Sequence, residues 1–155
     1  MAIGNIFRTL LGISRPVPAL SAAMPGGELG DHYRRIAEDA VRAVGSPYAR
    51  ILVHSGVTRE ANGHAGISLM ILFARKPGDV AESYNGSRNG AVLDAIEALR
   101  GHLQATGQDL WTMMSLVIDG TSFKADLSYE TGAVLDVGTW ERAQQLKQQY
   151  FGQAA

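Results

Sequence analysis

Residues 111–130, WTMMSLVIDGTSFKADLSYE, decide the fold. Two runs of strand-forming residues flank Asp119-Gly120, and glycine supplies the positive φ of a tight hairpin turn without steric cost. In the second run Phe123, Ala125, Leu127 and Tyr129 alternate with Lys124, Asp126, Ser128 and Glu130. One face of that strand is therefore expected to be core and the other wet. Downstream, the loop TGAVLDVG leads to Thr139, a residue type suited to an N-cap. A helix then carries Trp140, Ala143, Leu146 and Tyr150 and closes at Gly152.

Working upstream, Ala91, Val92, Ala95, Ile96, Leu99 and Leu103 recur at helical spacing up to Gly107. Before them lies a polar stretch of loop length, residues 76–89 (KPGDVAESYNGSRN). Residues 48–57 and 66–74 (GISLMILFA) form a second hairpin around the polar loop TREANGH. In GISLMILFA, Ile67, Leu69, Ile71 and Phe73 share one face and Met70 and Leu72 the other. That strand is expected to be covered on both sides and central in its sheet. Asp31 is placed to cap a helix with Tyr33, Ile36, Ala37, Ala40, Val41 and Val44 inward, ending at Gly45. The order helix, hairpin, helix, hairpin, helix predicts an α+β domain over residues 31–152: a four-stranded antiparallel sheet of two hairpins with helices on one face.

Residues 1–30 are read apart from this domain. Ile3, Ile6, Phe7, Leu10, Leu11 and Ile13 have helical spacing, but Gly4, Asn5, Arg8 and Thr9 break any apolar run long enough to span a bilayer. The segment suits an amphipathic helix packed on the domain or on a second copy, hence a route to self-association; only Arg8 and Arg15 could engage an anionic membrane surface. Residues 14–30 (SRPVPALSAAMPGGELG) read as a linker. No secretory pattern precedes the domain, so a cytoplasmic location is expected.

Composition narrows the chemistry. The chain has 155 residues, 46% of them hydrophobic, enough for one core without covalent staples. With no cysteine there is neither a disulfide, a thiol nucleophile nor a thiolate metal ligand. A net charge of −1 gives no field to gather phosphate backbones, so nucleic acid is not an expected direct partner.

Each candidate for chemistry meets a simpler account. Gly26-Gly27 and Asn85-Gly86 do not link a strand to a helix in a phosphate-binding pattern. His54 and His64 flank one loop, with Glu60 the only nearby acid, which falls short of a metal-ligand set. His32, beside Asp31 at a helix start, and His102, near a helix end, are explained by capping and by the helix dipole. Ser55, Ser68 and Ser115 lie within strands, not in a nucleophile elbow. Asp126 and Glu130 share a face, with Asp119 in the turn, but alternation with core residues directs them toward water rather than toward the burial an acid catalyst needs. Trp111 and Trp140 each begin an element, suiting either core-edge packing or anchoring of a partner. No catalytic residue, cofactor or metal is expected.

The segment GQDLWTMMSLVIDGTSFKADLSYE, followed after a short loop by WERAQQLKQQYFG, resembles the YezG-like immunity proteins that accompany secreted polymorphic toxins. Gly107, Trp111, Thr112, Phe123, Tyr129, Tyr150 and Phe151 carry the resemblance, and the preceding helix, hairpin and helix match the family's order. Members of that family are acidic and begin near the first helix, whereas this chain is nearly neutral and adds residues 1–30 in front. The resemblance implies a non-enzymatic cytoplasmic protein that forms a heterodimer with the C-terminal domain of a cognate toxin and blocks it by occlusion. A secretion adaptor or effector chaperone is the principal alternative. A small enzyme using the 76–89 loop with His54 or His64 is another.

For partner binding, the 76–89 loop offers Asp79, Glu82, Tyr84 and Arg88. Tyr84 is either an exposed anchor or a ring folded back over the first hairpin. The second candidate surface is the open sheet face bearing Lys124, Asp126 and Glu130.

Overall fold

A computed structural model of the chain describes residues 27–59 and 65–152. Three α-helices and five strands follow in the order α1 (Glu28–Val44), β1 (Arg50–Arg59), β2 (Ala65–Ala74), β3 (Glu82–Ser83), α2 (Asn89–Ala105), β4 (Met113–Asp119), β5 (Ser122–Ser128) and α3 (Thr139–Phe151). The chain is thus α+β, with one antiparallel sheet of strand order β3-β2-β1-β4-β5.

Both hairpins form as the sequence predicts. Asp119 pairs with Ser122, leaving Gly120 and Thr121 as a two-residue turn. Gly120 has φ of 59° and, among the described residues, no non-glycine residue has positive φ, the pattern of a turn with glycine at its first central position. In α1 all six apolar positions expected to face inward are buried, and Gly45 closes the helix with φ of 76°.

Four expectations need correction. The sheet has five strands rather than four, because two residues of the 76–89 loop, Glu82 and Ser83, add to the edge of β2. The centre is β1, not β2: Ile71 and Phe73 pack into the core on one face and Leu72 meets Leu146 on the other, so burial on both faces follows from helices on both sides of the sheet and does not require the central place. Neither expected side-chain cap forms. Helix α1 begins at Glu28, so Asp31 lies inside its first turn and pairs with Arg34 at 2.9 Å, while α3 is capped by Gly138 rather than Thr139. Finally, the helices do not share one face.

On the first face, residues of α1 and α2 pack against Ile51, Val53, Ile71, Phe73, Leu116, Ile118, Phe123 and Ala125 in the main core. The second face carries a small cluster in which Leu146 of α3 meets Leu52, Leu72 and Val117, three residues paired side by side across β2, β1 and β4. An arginine locks α3 in place. Arg50 binds the Asp119 carboxylate through Nε at 2.6 Å and Nη2 at 3.0 Å, and its Nη1 donates to the carbonyl of Tyr150 in the last turn of α3. The last turn of a helix is the negative end of its dipole, so a cation there is favoured both by hydrogen bonding to the carbonyl and by the dipole.

Candidate functional site

One row of the ladder beneath α3 is polar. Met70, His54, Ser115 and Asp126 are direct neighbours across β2, β1, β4 and β5. Strand alternation places all four on the second face, one step along from the Leu72–Leu52–Val117 row. His54 and Ser115 are buried, and His54 Nδ1 lies 2.9 Å from Ser115 Oγ. Asp126 is half-buried and accepts a hydrogen bond from the Tyr150 hydroxyl at 3.0 Å.

Burial, and then the positive charge of Arg142, lower the His54 pKa to about 4. Its imidazole is therefore neutral near pH 7, and its Nδ1 can accept the Ser115 hydroxyl proton in a hydrogen bond.

The row floors two hollows that share His54, Met113 and Arg142. One is bounded by Gly56, Ser68, Met70, Leu135, Val137 and Thr139, and has a volume of 160 Å³. Typical small-molecule sites occupy roughly 300–1,000 Å³, so this hollow suits a side chain or two of a partner better than a coenzyme. The other opens toward Asp126, Glu130, Gln149 and Tyr150.

The row has the residue types of a serine-histidine-acid constellation but not its order. Serine stands between histidine and acid, and the acid is held by Tyr150 rather than orienting the imidazole. Strand β4 is paired on both sides, so its backbone N–H groups serve the ladders and are not free to hold an oxyanion. An imidazole with a pKa near 4 is also a weak general base at neutral pH.

The sequence-selected residues fall into two separate groups. In the 76–89 loop Asp79, Glu82 and Arg88 are exposed, with Asp79 Oδ2 accepting from the Lys76 amide at 3.2 Å. Tyr84 is not an exposed anchor: it packs half-buried against the main core, and its hydroxyl accepts from the Arg88 amide at 3.1 Å. The ring lies so close to Gly86 that a Cβ there would stand 2.2 Å from the Tyr84 hydroxyl.

The second group is gathered under α3. Lys124 and Asp126 are half-buried and Glu130 is exposed, so this face is not the open surface expected. The covering signal was present in the sequence: Leu52, Leu72 and Val117 are apolar on the parity opposite to the main core. His64 and Glu60, weighed with His54 as metal ligands, lie outside the described residues, as do residues 1–26.

The tryptophans also part company. Trp111 is fully buried in the main core, with the Arg100 guanidinium 4.5 Å above its ring. Trp140 is 72% exposed among the described residues and sits in the first turn of α3, between the hollow-lining Thr139 and Arg142. Among those residues, no helix is long and apolar enough to cross a membrane.

No protein-family model and no curated protein matches the chain.

Proposed function

We propose that the chain is an immunity-type binding protein that holds the C-terminal domain of a cognate toxin as a heterodimer in the cytoplasm of the producing cell and occludes it. The exposure of Trp140 carries this reading. An indole left 72% exposed at the margin of a hollow costs solvation unless something covers it, and tryptophan is the residue type most enriched among interface hot spots. Beside it, Arg142 and the His54–Ser115 row offer polar contacts in a recess sized for a partner's side chain. The ordering of that row, with its serine paired to a weak base inside a closed ladder, supports binding over catalysis.

The test is co-expression with the product of the upstream gene, followed by co-purification and an assay of that product's toxicity with and without the chain. Trp140→Ala is expected to weaken the complex by about 2 kcal/mol or more while leaving the melting temperature of the free chain unchanged. Equal affinity in wild type and variant excludes this surface, and parallel alanine variants at Asp79, Glu82 and Arg88 then probe the other. A stable complex in which the partner stays fully active assigns the adaptor role instead.

A further inference from the structure

On the opposite side of the sheet from Trp140 and its hollow, the pairing of α1 with α2 brings together three side chains that lie far apart in the sequence. Glu28 and His32 are four residues apart on α1 and so share one face of it. His102 occupies the last turn of α2. The His32 and His102 ring centroids are 4.8 Å apart, and His102 Nδ1 lies 3.5 Å from Glu28 Oε2. One donor atom from each of the three lies within 4.8 Å of the others.

We propose that Glu28, His32 and His102 form a binding site for a divalent transition cation of the zinc class. Zinc sits about 2.0–2.1 Å from imidazole nitrogen and carboxylate oxygen in tetrahedral geometry, which puts neighbouring donors roughly 3.4 Å apart. The His102–Glu28 spacing of 3.5 Å is close to that value, and one donor atom from each of the three residues lies within 4.8 Å of the others. Two imidazoles and one carboxylate suit zinc, cobalt, nickel or copper, whereas calcium and magnesium favour all-oxygen shells with more ligands. The His102 side chain is only 17% exposed while Glu28 is 83% exposed, so the site is walled by the helix pair and open at the acid. Three protein ligands leave one position for water or an outside donor.

An ion pair between His102 and Glu28 is the simpler account of the short contact, but it leaves His32 unexplained. A bound metal takes one donor atom from each of the three side chains.

The experiment uses the tag-free full-length chain, stripped of metal with EDTA and titrated with zinc in competition with a chromogenic chelator. One zinc per chain is expected, and at a hundredfold excess over Kd the melting temperature should rise by about 5–10 °C. His32→Ala and His102→Ala should each weaken zinc binding by at least about tenfold. Glu28→Gln changes an exposed side chain and keeps the test decisive if a histidine variant folds poorly; it too should weaken binding. Failure of the wild-type chain to bind zinc below about 100 μM overturns the proposal. Saturation with undiminished affinity in all three variants does so as well.

Discussion

The two faces of the sheet are built by the same strands but held in different ways. On the first, two seventeen-residue helices and the sheet beneath them bury 22 residues in one continuous core among the described residues. On the second, α3 contributes one buried residue, Leu146, to a cluster of four, with Tyr150 and Phe151 half-buried against it, and polar ties add to these: Arg50 to the Tyr150 carbonyl, and Tyr150 to Asp126. Apolar burial scales with area, so a helix held by one buried leucine, two half-buried aromatics and a few hydrogen bonds is expected to open locally at lower free energy than the main core. The face that stabilises the fold and the face proposed to bind a partner are thus physically distinct.

The largest expected effect is on the first face. Phe123 is 1% exposed within the main core, so Phe123→Ala should destabilise the chain by about 3–5 kcal/mol in a denaturant titration. A loss below about 1 kcal/mol would erase the difference between the faces.

The second effect belongs to the row beneath α3. His54 has a folded pKa of about 4 against an ordinary value of 6.5, so between those values the unfolded chain binds the extra proton. Its contribution is fully present above pH 6.5 and is lost as pH falls toward 4, by on the order of 3 kcal/mol. His54→Asn, which can still accept from Ser115, should remove that slope relative to wild type in melts taken at pH 4, 5, 6 and 7. Parallel pH profiles for the two proteins would mean that the imidazole is not buried as described.

The smallest is Leu146→Ala, for which about 2 kcal/mol is expected, at the low end for a buried leucine because its cluster is small. Hydrogen exchange sharpens the comparison. Amides of α3 should lose protection in this variant while those of α1 and α2 keep theirs, and a uniform loss would show one cooperative core instead of two unequal layers.

Much of the frame was legible in the chain. The spacing of Tyr33, Ile36, Ala37, Ala40, Val41 and Val44 gave the buried stripe of α1, and Asp119-Gly120 placed the turn between β4 and β5. These signals are local: side-chain periods of 3.6 and 2 and the φ freedom of glycine act over a few residues. The site was far less legible. Trp111 and Trp140 each stand near the start of an element, yet one is fully buried and the other 72% exposed. Tyr84, set among Gly, Asn and Ser, folds back because β3 adds to the edge of β2 and returns the loop to the core.

By itself, then, the sequence determined the identity of the main helices and strands, the tight turn between β4 and β5 and the inward stripe of α1 within the main core, because each is written in the spacing of neighbouring side chains. The tertiary structure decided that β1 is central, that α3 covers the second face, and that His54 meets Ser115 while His32 meets His102. Those outcomes join residues far apart in the chain. They follow from how apolar faces compete for cover and which strands pair, a global minimum that no local period encodes.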